Sequence, residues 1–292
     1  MDLKTYLGEK KALIEDFVSG YFRQPIAPEV LHESMKYSLL AGGKRIRPVL
    51  CLTAYETCGG NGQDILPQAA AIELIHTYSL IHDDLPAMDD DALRRGKPTN
   101  HVIYGEAMAI LAGDGLLTEA FRMFSGNGSL APAVLLKAIN ELSSAAGLLG
   151  MVAGQAMDII SEGKAHDKKV LEFIHRNKTA ALLKASVQLG GILYNAEDAE
   201  MDSLTGYGEA IGLAFQIVDD ILDVTGTTEE LGKPRGSDEN KNKLTYPAMY
   251  GVEGSRTMAK EQIDRALQSV EFFGPKAHWF EEIANYLLKR SN

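Results

Sequence analysis

An all-α fold is predicted by three observations. Apolar residues recur at one-turn and two-turn spacings along most of the chain. No alternating strand pattern of useful length and no hairpin signal is found. Two segments, 107–124 and 135–161, are rich in Ala, Leu and Gly and nearly apolar on every side, as helices buried in a large bundle are. No fixed-period repeat and no linker-like composition divides the 292 residues, so a single domain over 1–292 is expected.

The elements follow in order. Residues 3–22 have helical periodicity and a charged outer face. Residues 29–40 form the next helix, stopped by Gly42-Gly43, a pair suited to a left-handed cap. In GGKRIRP, residues 42–48, Lys44, Arg45 and Arg47 gather around Ile46 at a helix junction. Residues 49–57 are helical up to Gly59-Gly60. Residues 68–84 are a helix running into aspartates. A turn at 126–131 separates the two apolar helices. Residues 168–189 form a helix carrying Lys178 and Thr179, and residues 199–224 carry a second aspartate group. Residues 225–243 are polar, Gly-rich and long enough for an active-site flap. Helices at 246–250, 255–273 and 278–288 complete the chain.

Composition limits the function. A net charge of -11 with no basic stripe argues against a nucleic-acid partner. An acidic protein repels a polyanionic substrate, so such a substrate needs bridging cations or a local basic patch. Cys51 and Cys58, two turns apart, read as reduced core thiols rather than a disulfide or metal site. The start, MDLKTYLGEKKALIEDF, has no apolar signal-like region, so no signal or transit peptide is expected. No apolar run reaches membrane-spanning length without polar interruption. The default expectation is a cytoplasmic protein.

The chemistry concentrates in two acidic stretches. Leu74, Ile75, Tyr78, Leu80, Ile81 and Leu85 make a helical face that ends at Asp83 and Asp84, followed by Asp89, Asp90 and Asp91. Pro86 lacks a backbone donor and disfavours helix at Leu85. The break lets Asp89 turn back towards the space above Asp83. Carboxylates so crowded repel unless cations share them. An all-oxygen set favours a hard divalent ion such as magnesium. Taken alone, the run reads equally well as a solvated acidic helix end. In FQIVDDILD, Asp219 and Asp223 share a helix face with Gln216 beside them, inside an apolar run. Two such clusters embedded in apolar helices suggest one metal-lined mouth above a greasy pocket.

Basic and polar positions add to this. Lys44 and Arg47 flank Ile46, and Arg94 and Arg95 follow the first aspartates directly. An arginine fork matches a phosphate at two points and lysine supplies a compact charge; surface salt bridging is the bland alternative. His76 shares a face with Asp83, and a satisfied core histidine is the alternative. Lys178 enters an apolar helix, where a buried lysine needs an anion. Gln155 and Asp158 are a one-turn pair that either caps a neighbour or contacts substrate. Lys233, in the flap, is placed to close over a bound anion.

GGKRIRP, HTYSLIHDDLPAMDDDALRRGKPTNH, GQAMD, FQIVDDILDVTG and LGKPRGSD, in this order, resemble the trans-isoprenyl diphosphate synthases, most of all the bacterial farnesyl type. The likeness covers essentially the whole chain. It implies an isoprenoid-synthase-type helical bundle around a deep central cavity, usually a homodimer. It implies that Asp83, Asp89 and Asp219, helped by Asp223, hold about three magnesium ions, with manganese a possible substitute, on the diphosphate of an allylic substrate. Asp84 and Asp220 become second ligands or supports. Arg94, Lys178 and Lys233 bind the same diphosphate. Lys44, Arg47, His76 and Arg95 bind isopentenyl diphosphate. Thr179 and Gln216 sit near the developing allylic cation, where an oxygen dipole stabilises positive charge. The implied reaction is ionisation, attack by the isopentenyl double bond, and proton loss.

Chain length is expected to be set just below Asp83, by Tyr78 and its neighbour Ser79. Tyr78 is five residues earlier, roughly 7.5 Å down the helix axis. In the family an aromatic there accompanies a fifteen-carbon product, and the Pro86-Ala87 pair also matches the farnesyl type. The chain departs from the family's pattern in residues 237–243, which are unusually charged. Lys289 and Arg290 give the tail a basic end without a committed role. The competing readings are a geranyl or geranylgeranyl diphosphate synthase, a class I terpene cyclase, a non-catalytic partner subunit, and a plain metal-binding helical protein. GGKRIRP with His76 speaks for a second diphosphate site, and both aspartate motifs are retained.

Overall fold

A computed structural model describes residues 1–126, 128–164, 167–226 and 243–290. The architecture is a helical bundle. Its helices are α1 (Leu3–Tyr21), α2 (Glu29–Leu39), α3 (Ile46–Cys58), α4 (Leu66–Asp83), α5 (Asn100–Tyr104), α6 (Glu106–Ser125), α7 (Pro132–Ala146), α8 (Met151–Ser161), α9 (Lys168–Ile174), α10 (Ala181–Tyr194), α11 (Asp198–Thr225), α12 (Tyr246–Val270) and α13 (His278–Arg290). The all-α expectation holds, and four local differences have physical causes.

The apolar segment 135–161 is two helices, not one. Residues 147–150, with Gly at both ends, leave helical geometry and expose Leu148 and Leu149. The Pro132–Ser161 stretch has the length and apolarity of a membrane span, yet this break divides it. The segment 168–189 runs on to Tyr194 and contains a π turn, His175–Ala180, between α9 and α10. The expected helices 246–250 and 255–273 run together as α12, kinked at Gly251, φ 71°. A small hairpin, β1 (Leu93–Arg94) and β2 (Lys97–Pro98), follows the first aspartates. Its turn, Arg95 (φ 54°) and Gly96 (φ 74°), has two positive φ values in succession, the backbone of the turns that match strand twist. Gly96 was its only sequence signal.

The core explains why α4 is central. Ala69, Ala70, Ala71, Ile72, Leu74 and Ile75 are fully buried on all sides of that helix. It packs along α6 and against α3, while α10 lies between α3 and α11, and α11 runs along α12. Tyr6 of α1 stacks on Trp279 at 4.0 Å between ring centroids, joining the first helix to the residues that open α13. Cys51 and Cys58 are buried free thiols. The aspartate-bearing ends of α4 and α11 are thereby fixed by helices whose other residues are core.

Candidate active site

The break at Pro86 returns the chain on itself: the Asp89 amide donates to the Asp83 carbonyl at 2.9 Å. A cavity of about 580 Å³ opens beside this turn. It brings together Arg47, His76, Tyr78, Ser79, Asp83, Arg94, Arg95, Lys178, Thr179, Gln216 and Asp219, from five separate stretches of chain. Its remaining wall is largely apolar, including Met88, Met151, Val152, Ile159 and Phe215. Lys44 lines a neighbouring apolar cavity of about 250 Å³ with Arg290, and Phe215 lines both. Desolvation and then the Arg290 charge lower the Lys44 pKa, while Asp219 opposes them, so this lysine sits at the seam of the two cavities.

Asp83 carries the electrostatic tension. Burial pushes its carboxyl up to about 6; Lys178 pulls it back and Asp89 adds to the rise. Cations stand against the neighbouring carboxylates. Lys178 Nζ donates to Asp158 Oδ2 at 2.6 Å, and Lys243 Nζ reaches Asp89 at 3.1 Å and Asp158 at 4.0 Å. Lys178 is aimed by the π turn, and α8 lies so close to that turn that a Cβ on Gly154 would sit 2.1 Å from the Lys178 backbone nitrogen. GQAMD is therefore a contact motif: Gly154 lets the helices meet and Asp158 takes the lysine. Lys233 and the rest of 227–242 lie outside the described residues.

Three of the six expected metal ligands are placed differently from Asp83 and Asp219. Asp84 is 3% exposed and pairs with Arg94, through Nε at 2.8 Å and Nη2 at 2.6 Å. Asp220 is 2% exposed; its Oδ1 accepts from Gln216 Nε2 at 2.7 Å and its Oδ2 from the Tyr246 amide at 2.9 Å. Asp223 is buried and lines neither cavity. These are supports. For Asp220 the reason is rotation: adjacent helix residues point about 100° apart, so Asp219 facing the cavity turns Asp220 into the bundle. The support has a use, since Gln216 spends its NH2 on Asp220 and keeps its carbonyl oxygen for the cavity.

Among the described residues no three acidic, His or Cys groups form a metal cage. Magnesium does not require one. It usually takes one or two carboxylates and completes its shell with waters and substrate phosphates. Asp83 from α4 and Asp219 from α11, lining one cavity, with Asp89 on the returning turn, fit that pattern. The Asp83 carboxyl raised to about 6 marks a charge that the protein leaves undercompensated.

The basic side is built for an anion. Arg47 Nε is buried with no hydrogen-bond partner among the described residues, and so is Gln155 Oε1 on the cavity wall. Desolvation, then Arg47, Arg95 and Arg94, hold His76 well below its usual 6.5, so it stands neutral among guanidinium groups and can donate one N–H. Residues missed by sequence reasoning are Glu73, which pairs with Arg45 at 2.7 Å, and Lys243. Glu73 had a signal: a lone acid within AAAIELI needs a buried partner.

Comparison with known proteins agrees with this geometry. The family model described as polyprenyl synthetase matches residues 28–276. The chain is 45% identical to a geranylgeranyl diphosphate synthase of Cyanophora paradoxa, over 100% of this chain and 97% of that one. It is 48% identical to a farnesyl diphosphate synthase of Geobacillus stearothermophilus, over 91% of this chain and 90% of that one. A solved geranyltransferase of Legionella pneumophila superposes with a TM-score of 0.88 at 32% identity, covering 99% of this chain and 98% of that one.

Proposed function

This chain belongs to the polyprenyl synthetase family, prenyltransferases that extend prenyl chains head to tail, and we propose that its product is farnesyl diphosphate. The substrates in this reading are isopentenyl diphosphate and an allylic diphosphate, dimethylallyl and then geranyl. The observation that carries the fifteen-carbon limit is Tyr78. It lines the cavity, is 7% exposed, and stands below Asp83 on the same helix. A second reading, geranylgeranyl diphosphate, is favoured by the geranylgeranyl synthases among the relatives.

The residues divide the work. Asp83, Asp89 and Asp219 hold divalent metal, magnesium in this reading, which when bound supplies Lewis-acid charge at the leaving diphosphate. Lys178 and Arg94 take that diphosphate's remaining charge. Arg47, His76 and Arg95 hold the diphosphate of the isopentenyl substrate, with Lys44 at the seam. The Gln216 carbonyl oxygen and the Thr179 hydroxyl turn their dipoles to the allylic carbon as positive charge develops. Met88, Met151, Val152, Ile159 and Phe215 exclude water that would trap the cation. A second copy of the chain is proposed to cover the apolar side chains exposed on α5–α8, notably Ile103, Ile110, Leu111, Leu148 and Leu149.

Product analysis tests this. The protein is incubated with magnesium, dimethylallyl diphosphate and isopentenyl diphosphate, and the dephosphorylated alcohols are identified by mass. Farnesol, lost on chelation, is expected. Geranylgeraniol as the main product overturns the chain-length reading, and no condensation by folded protein overturns the reaction.

A further inference from the structure

Arg45 has no part in the chemistry above. It lines neither cavity, and its side chain is 3% exposed. Yet it is the most constrained residue of GGKRIRP. Its Nη1 donates to Glu73 Oε1 of α4 at 2.7 Å, its Nη2 to the Leu39 carbonyl of α2 at 2.7 Å, and its Nε to Glu15 Oε1 of α1 at 3.3 Å. One guanidinium thus ties three helices together. Only a planar fork with several fixed donors can do that; an ammonium cannot match the three directions.

The backbone of Arg45 is equally unusual. It is left-handed, φ 53° and ψ 31°, at the cap residue just before α3. That conformation is costly for a residue with a Cβ and persists where surroundings enforce it. The tripod of side-chain bonds is such an enforcement. The reversal at Arg45 sets where Lys44 departs on one side and where Arg47 points on the other. The preceding turn also carries Arg95: its Nη1 donates to the Gly42 carbonyl, and its guanidinium lies where a Cβ on Gly43 would stand, 2.7 Å away. Three of the four residues read as binding isopentenyl diphosphate therefore hang on the loop that Arg45 anchors. Glu73 belongs to the same device. It neutralises Arg45 inside the bundle, and its charge is also felt by Arg47 and Arg95.

We propose that Arg45, clamped by Glu73, is a positioning residue for the isopentenyl diphosphate site: it touches no substrate and fixes the aim of Lys44, Arg47 and Arg95. The proposal rests on the functional reading above. It separates the two substrates, because the residues assigned to the allylic diphosphate, Lys178 and Arg94, are held by Asp158 and Asp84 and not by this clamp.

The test is steady-state kinetics with each substrate varied in turn, on Arg45→Lys and on the paired Arg45→Met, Glu73→Met protein. The pair keeps the test open if the single change unfolds the chain, since removing both partners leaves no buried charge unpaired. The expected result is a KM for isopentenyl diphosphate raised roughly tenfold or more, with the allylic KM within about twofold of wild type. Equal changes in both KM values, or a lower melting temperature with both KM values unchanged, would overturn the proposal and leave Arg45 a purely structural residue. A wild-type protein that consumes no isopentenyl diphosphate would instead sink the functional reading, and this proposal with it.

Discussion

Replacing Tyr78 by alanine is expected to turn a farnesyl product into a geranylgeranyl one. Tyr78 sits roughly 7.5 Å below Asp83 along α4. Its ring meets His82 edge-on at 5.8 Å, and His82 Nε2 lies 3.0 Å from the Ile110 carbonyl of α6. The ring therefore has a backed support and cannot simply swing aside. A phenol reaches roughly 6.5 Å from its Cα and an alanine methyl roughly 1.5 Å, so the change frees roughly 5 Å of depth. One isoprene unit adds four carbon–carbon bonds, roughly 5 Å when extended. The space gained matches one further condensation. Truncating an enclosed aromatic costs about 3–5 kcal/mol, and a ring already facing a cavity should fall at the lower end. The assay is mass identification of the dephosphorylated alcohols, with a melting curve as control for folding. A folded Tyr78→Ala protein that still stops at fifteen carbons would refute the reasoning.

Three further outcomes are expected. In metal-free protein Asp83 titrates at about 6 against an ordinary 3.8, so the folded state holds its proton more tightly than the unfolded chain. The contribution of Asp83 to stability should be fullest below about pH 4 and fall by roughly 3 kcal/mol as pH rises through 6. Asp83→Asn should remove that loss and raise the metal-free melting temperature at pH 7.5, while activity falls more than about a hundredfold; a variant no more stable than wild type there contradicts the assignment. Asp220→Ala should lower stability by about 2–4 kcal/mol, because it strands the Gln216 amide and the Tyr246 N–H, yet leave the magnesium midpoint of activity in place. Asp219→Ala should do the reverse, and a magnesium titration of both separates the roles. Gly154→Ala should cost about 1–3 kcal/mol and most of the activity, since its methyl meets the backbone at Lys178; an active variant of normal stability would show that α8 can retreat.

What was legible in the sequence was the chemistry with local spacing. Asp83, Asp89 and Asp219 announce themselves as acids in apolar helices, and Pro86 accounts for the return of Asp89 that the Asp89–Asp83 hydrogen bond records. Which acid of each pair faces the cavity was not legible, because adjacent aspartates differ only in helix rotation and that is set by packing. Lys243 meets Asp89 across 154 residues of chain, and no local pattern carries that contact. Arg45 stood in the sequence as one more cation of GGKRIRP, gathered around Ile46. Its real partner, Glu73, was visible only as a charge that burial forbids to stand alone. Glycines were legible as breaks but not as contacts. Gly147 and Gly150 ended a helix, whereas Gly154, one turn before Asp158 of the aspartate–lysine pair, let two helices touch.

The π turn at His175–Ala180 makes the site sensitive to the loss of a single codon. A π turn holds one residue more than an α turn needs. Removing one residue there would heal the helix into ordinary form and keep the buried faces of α9 and α10 in register. Hydrogen bonding along the backbone would improve. Lys178 and Thr179 would swing off the cavity together. A one-codon deletion at this point is thus a route by which the fold persists, even with better local geometry, while its chemistry is lost.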